Sequence, residues 1–302
     1  MLHVIRYIAV IIAILAYTFW TPSENATNFV CFLAILLFGV PHGAIDHKIH
    51  QSFSISNNKI KFITRYVMIA VGYLAWWLFM PFKAFLIFIL LSAYHFGQEM
   101  VEDHKLNTKE PIHYLVWGSL ILIAPLLIHF NELLPSFEIM AGQSIAPLNM
   151  SVAYSVALII FGFAILFLIY NAYMGKIQRA DLIKSVNFIL YISISYLFLP
   201  FIVAFTLYFV LFHSTNALRH QFLWFKKRND NYKVVHFIKD LVPFTLLAFV
   251  GIFLTIYLSN PSEWASLFSY FFVFISVLTL PHALLFNQLY MKRKKINKAT
   301  SS

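Results

Sequence analysis

Ten long apolar stretches, separated by short polar links, leave this chain few folds to adopt. They cover residues 4–20, 29–46, 63–80, 84–101, 112–130, 149–171, 186–200, 201–219, 239–258 and 266–288. A helix rises 1.5 Å per residue, so about 20 apolar residues cross the hydrocarbon of a bilayer. Backbone amides in lipid must be satisfied inside the protein, which makes a helix the natural state of such a run. The 302 residues are 61% hydrophobic and only 11% charged. A soluble globule of this size could not keep so much apolar surface from water, whereas a bundle facing lipid can. The expected fold is all-α, a polytopic integral membrane helical bundle of about 10 spans. A single domain is expected over residues 1–302. The seventh run is short, and Pro200 divides it from the eighth. Losing that pair would leave an 8-span version.

Charge supports the count. With the N-terminus inside, the cytoplasmic stretches are 1–3, 47–62, 102–111, 172–185, 220–238 and 289–302. Of 22 Lys and Arg, only Lys83 falls on or beside an opposite-side stretch. The loop expected over 131–148 has no basic residue and holds Glu132 and Glu138. That bias predicts an even number of spans, a multi-pass protein of the cell inner membrane and both termini in the cytoplasm. The net charge of +10 comes from these clusters, so nucleic acid is excluded as a partner and membrane lipid expected. The tail Lys292, Arg293, Lys294, Lys295 reads as the flank of the last helix. A lone cysteine, Cys31, rules out a disulfide framework and thiolate metal clusters. The first run lacks a small-residue cleavage pattern and is expected to stay as a helix.

Four histidines lie near the ends of these runs: His42, His95, His213 and His282. In the expected topology all four fall in one leaflet, roughly 6–10 Å inside the boundary. Histidine in hydrocarbon is costly unless it is bonded, bound to a metal or facing a cavity. Pro41 precedes His42, with Gly39 and Gly43 removing bulk nearby, and Pro281-His282 repeats the pair. Asp46 lies four residues after His42, and Glu99 four after His95. That spacing puts each carboxylate on its histidine's helical face, where it can orient the imidazole. Glu99 is also a candidate direct ligand. His47 and His50 read as loop residues, and His220 is an alternative ligand seven residues beyond His213. Imidazoles with a few oxygen donors suit Fe, Zn or Cu. A proton or transport path and a purely structural hydrogen-bonded cluster are the other readings of the same residues.

Together the motifs resemble a known family. Phe38-Gly39-Val40-Pro41-His42-Gly43-Ala44-Ile45-Asp46-His47, the stretch Ser92 to Glu99, Phe212-His213-Ser214 and Leu280-Pro281-His282 are similar to those of the Brp/Blh family of β-carotene 15,15'-dioxygenases. The resemblance implies a membrane enzyme that takes β-carotene from the lipid phase. It implies cleavage of the central double bond with O2, giving two molecules of retinal that can pass to a microbial rhodopsin. It further implies non-haem Fe(2+), with His42, His95 and His213 matching histidines tied to activity. The family's third motif carries a second histidine four residues after the first, where this chain has Ala217. His282, or His220, is then expected to complete the ligand set. Rival expectations are another metal-dependent lipid oxygenase or desaturase, whose histidine boxes are usually denser, and a transporter or rhodopsin assembly protein without catalysis.

Overall fold

Each apolar run closes its hydrogen bonds within itself, and small polar residues mark where several helices begin. The computed structural model describes residues 2–20, 22–53, 58–104 and 111–300. In chain order come α1 (Leu2–Phe19), α2 (Glu24–Phe53), α3 (Lys59–Phe79), α4 (Pro81–Asp103) and α5 (Pro111–Ile128). Then follow α6 (Phe130–Ala141), α7 (Met150–Tyr173), α8 (Arg179–Phe198), α9 (Phe201–Arg228), α10 (Val234–Ser259) and α11 (Trp264–Thr300). Among the described residues there is no strand, and nine helices are long and apolar enough to cross a membrane. The remaining apolar run is α1, a shorter apolar helix over Ile5–Phe19. The protein is a multi-pass helical membrane protein. The side chains from 290 onward, including the basic tail Lys292 to Lys295, lie outside the described residues.

Helix starts follow from side-chain oxygens that accept otherwise unpaired amides. Ser23 Oγ accepts from the Ala26 N–H at 3.3 Å and Asn58 Oδ1 from the Lys61 N–H at 2.9 Å. Glu132 Oε1 accepts from the Phe201 N–H at 3.0 Å, so a carboxylate from α6 caps α9. Helix ends use left-handed backbone: Gly142 (φ +65°) follows α6 and Gly175 (φ +66°) follows α7, a conformation glycine adopts without strain.

Three expectations need correction. The seventh run is not short: α8 begins at Arg179 and has 20 residues, because polar Arg179, Asp181 and Lys184 form its first turns. The stretch 131–148 is not all loop, since α6 buries Phe137, Met140 and Ala141. His47 and His50 are not loop residues. α2 continues past Asp46 to Phe53, because Ile45 and Ile49 bury in a cluster with Phe237, Leu285 and Leu289.

Among the described residues three helices contain π turns, at Ile35–Gly39, Ser119–Ile123 and Phe209–Ser214. A π turn inserts one residue and shifts the faces that follow, and such turns gather at functional sites. In the third, the Val210 carbonyl accepts both the Thr215 N–H and, at 2.6 Å, the Thr215 hydroxyl.

The described chain divides into two compact units. The first contains the chain up to Gly39, Ile89–Ile139 and Gln143–Ala217; the second contains Val40–Phe88, Met140–Gly142 and the chain from Leu218. In the first unit, α4 and α5 meet backbone to backbone. A Cβ added at Gly97 would lie 1.8 Å from the Tyr114 carbonyl oxygen, and one at Gly118 would lie 1.7 Å from that of Ala93. In the second unit Trp77 Nε1 donates to Ser276 Oγ at 2.9 Å, and the Tyr73 hydroxyl donates to the Ala84 carbonyl at 2.9 Å.

Within the first unit, Glu138 anchors the link after α6. Its Oε1 accepts from the Ile145 N–H at 3.0 Å and the Ser144 hydroxyl at 2.9 Å. These bonds hold the carboxyl below its ordinary value. A depressed pKa gives stability that is present above the unfolded value and lost as pH falls through the folded one. The protection factor of the Ile145 amide, its exchange rate set against the intrinsic rate at the same pH, should therefore fall as pH drops through the depressed Glu138 value, with Glu138→Gln flattening the profile. A protection factor that stays constant as pH falls in the parent protein would contradict this anchor.

Candidate metal centre

In the first unit, α4 has two working faces. Ala93 and Gly97, four apart, are pressed against α5. His95 and Glu99 sit two residues further along, about 200° round the helix, and so project from the other side. The close glycine contact thereby fixes the azimuth of both polar groups.

The π turn of α9 brings His213 to them. Ligand atoms of His95, Glu99 and His213 all lie within 4.8 Å of one another. The His95 and His213 rings are 5.5 Å apart, edge to face, and His213 Nδ1 meets Glu99 Oε2 directly. His213 and Glu99 side chains are only 2% and 13% exposed. Phe96 and Phe209 pack on the His213 ring at 4.7 and 5.0 Å. Gly39 leaves room for Phe209, since a Cβ there would lie 2.4 Å from Phe209 Cε1. Two imidazoles and a carboxylate in a dry setting form a donor set for Fe(II), Zn or Cu(II). Burying three such groups together is costly unless a cation or proton joins them.

A cavity of about 380 Å³ adjoins this trio and is lined by Glu99, His213, Tyr208 and Phe212 among others. Its polar side holds Arg6, which is 3% exposed and stacks over Phe212 at 4.2 Å. Arg6 donates to Asn216 Oδ1 at 2.5 Å, and Asn216 Nδ2 donates to Asp103 Oδ2 at 2.5 Å. The sequence reading passed over these residues. The available signal was Asn216, an amide one turn beyond His213 in an apolar helix.

The second unit holds the other two histidines. The His42 and His282 rings are 5.2 Å apart, edge to face. His282 Nδ1 lies 2.8 and 3.0 Å from the two Asp46 oxygens. Asp46 had been expected to orient His42 through an unbroken helical face. That face is interrupted, because a turn at Ala44–Ile45 separates the helical pieces Val40–Gly43 and Asp46–Phe53. Asp46 reaches His282 across the fold, fixing Nδ1 as the protonated nitrogen and leaving Nε2 as a lone-pair donor. Tyr66 Oη lies 3.2 Å from Asp46 Oδ2 and from the Leu278 carbonyl. Gln221 Nε2 donates to the His42 carbonyl at 2.7 Å, satisfying a group near the interrupted turn. His220, the alternative ligand beside it, is exposed.

The structure thus sorts the six named residues into two local clusters, His95–Glu99–His213 and His42–Asp46–His282. Glu99, read from sequence chiefly as an orienting partner of His95, stands among the possible ligand atoms.

Comparison with known proteins bears on the same segments. No solved structure matches the chain. The chain is 31% identical over 117 residues to a protein of an uncultured marine bacterium (66A03) named beta-carotene 15,15'-dioxygenase. That alignment spans 37% of this chain and 42% of the relative, so less than half of the relative's length is matched. A family model described as Beta-carotene 15,15'-dioxygenase matches residues 33–290, a span that takes in all four histidines and both carboxylates. On the strength of that match over most of its length, the chain belongs to the β-carotene 15,15'-dioxygenase family.

Proposed function

We propose that this protein cleaves β-carotene at its central double bond with O2, yielding two molecules of retinal, at a membrane-embedded Fe(2+) site. The observation that carries the reading is the buried trio His95, Glu99 and His213 in a member of the β-carotene 15,15'-dioxygenase family. Its donors fit iron(II), and two imidazoles with one carboxylate leave coordination positions for other molecules. Held in this way, the ion supplies the redox chemistry by which O2 reacts with an alkene.

The chain's own residues do the rest. His95 and His213 present neutral ring nitrogens, and Glu99 offsets part of the ionic charge. Phe96 and Phe209 keep the His213 ring upright and exclude water. His42 and His282 complete the proposed set of four histidines required for activity, with Asp46 holding the His282 tautomer. His220 is the alternative, and its exposure makes it the weaker one. β-Carotene is wholly apolar and enters from lipid, so no aqueous opening is needed for it. Retinal leaves by the same phase and is available to a microbial rhodopsin. The bias of basic residues toward one set of loops supports an inner-membrane protein with both termini in the cytoplasm.

The deciding experiment supplies β-carotene in detergent to purified protein under air. Equal parts chelated, iron-restored and zinc-restored samples are followed by chromatography. Retinal is expected only with iron and O2, at two molecules per carotene consumed. Longer apocarotenals would place the cut elsewhere, and no product under any condition would favour a transport or assembly role.

A further inference from the structure

Far along α3 from its C-terminus lies a second cavity, wholly within the second unit, of about 240 Å³. Its lining changes character along the helix. Asn58 and Lys61 stand at the first turn of α3, Arg65 one turn on, and apolar Ile69 beyond. From Asn58 to Ile69 is about 16 Å of helix. Opposite them, α11 contributes polar Gln288 and the exposed apolar Leu284. The floor is aromatic, with Phe62 stacked on His50 at 4.4 Å.

Lys61 and Arg65 are four apart and share a helical face. Like charges at that spacing repel, and among the described residues neither has an acidic partner. Both are exposed at the end of a membrane-crossing helix, where phosphate groups of lipid lie. We infer that this cavity is a binding site for one anionic phospholipid. Its phosphate sits between Lys61 and Arg65, with Asn58 and Gln288 on the headgroup and an acyl chain along Ile69 and Leu284. Two cations without an acid select a net-negative headgroup over a zwitterionic one, whose ammonium they would repel. Tyr66 forms part of the same wall and also touches Asp46, so the lipid lies one side chain from the Asp46–His282 pair.

The test is native mass spectrometry of the full-length protein in detergent, which reads bound lipid and needs no catalysis. Phosphatidylglycerol and phosphatidylcholine with matched chains are titrated separately, and inorganic phosphate is added as competitor. One phosphatidylglycerol per chain is expected to be retained. Each basic residue near a membrane surface is worth about fivefold, so K61Q/R65Q should bind roughly 25-fold more weakly. K226Q/K227Q, which removes the same charge from the end of α9, should stay within about twofold of the parent. Both variants change exposed residues, and circular dichroism checks their helicity. Equal retention of phosphatidylcholine, or equal weakening by K226Q/K227Q, would overturn the site. Displacement by inorganic phosphate at the lipid's own concentration would overturn the lipid as its occupant.

Discussion

Replacing His213 with alanine should abolish the proposed iron binding and cut the proposed retinal formation by about a thousandfold or more. A bound ion is worth several kcal/mol of transition-state stabilisation, and every 1.4 kcal/mol is a factor of ten. His213 is the contact point of the trio: it faces Glu99 through Nδ1 and lies edge-to-face with His95. His95→Ala and Glu99→Ala are expected to behave alike. Glu99→Gln keeps the shape and loses the charge, so its iron occupancy measures whether the carboxylate ligates or only orients. Iron is counted by plasma mass spectrometry, independently of turnover. The same count sorts the second cluster. His42→Ala and His282→Ala should lose activity, and a fall in iron would mark them as ligands. Asp46→Asn should weaken metal affinity about 10- to 100-fold if His282 is one of them. Full iron content and normal turnover in His213→Ala would remove the trio from the mechanism.

Adding a single methyl group at Gly118 should be nearly as damaging to the fold. The new Cβ would lie 1.7 Å from the Ala93 carbonyl oxygen, which is backbone and cannot rotate away. α4 and α5 would have to separate, and the matching contact of Gly97 with Tyr114 would go too. Overpacking of this kind costs about 3 kcal/mol or more. For a chain of this size that lowers the apparent unfolding temperature by roughly 10 °C. Gly97→Ala should act similarly and also rotate His95 and Glu99, so iron should be lost with stability. Gly72→Ala and Gly162→Ala are the internal controls, since nothing lies within 4 Å of a Cβ at either position. Both should be neutral or slightly stabilising in a scanning fluorimetry assay. If Gly118→Ala melts with those two, the backbone contact is not as described.

Much of the fold was legible in the chain because hydrocarbon imposes a one-dimensional rule. A long apolar run must become a helix, and its length can be read by counting. Boundaries were less legible wherever polar residues take part in a span. α8 draws its first two turns from a stretch holding Arg179, Asp181 and Lys184, and α2 runs on through His47 and His50. Hydropathy excludes such residues, yet a helix end at the interface accepts them. α6 was hidden for a related reason. Its buried face is short, and its acids looked like loop residues until Glu132 and Glu138 were seen capping α9 and the following link.

For the site, sequence alone singled out the candidates: His42, His95, His213 and His282, with Asp46 and Glu99 beside them. Intramembrane imidazoles and carboxylates are too expensive to occur without purpose, and the cost shows in composition. Tertiary structure decided who partners whom. Spacing paired Asp46 with His42, whereas the turn at Ala44–Ile45 turns that carboxylate toward His282, 236 residues away. Spacing placed Glu99 with His95, whereas the π turn of α9 carries His213 onto the same carboxylate. Local periodicity assumes 3.6 residues per turn without interruption, and at both motifs the backbone departs from it. Which atoms face one another depends on those departures, and they are fixed by packing between distant helices.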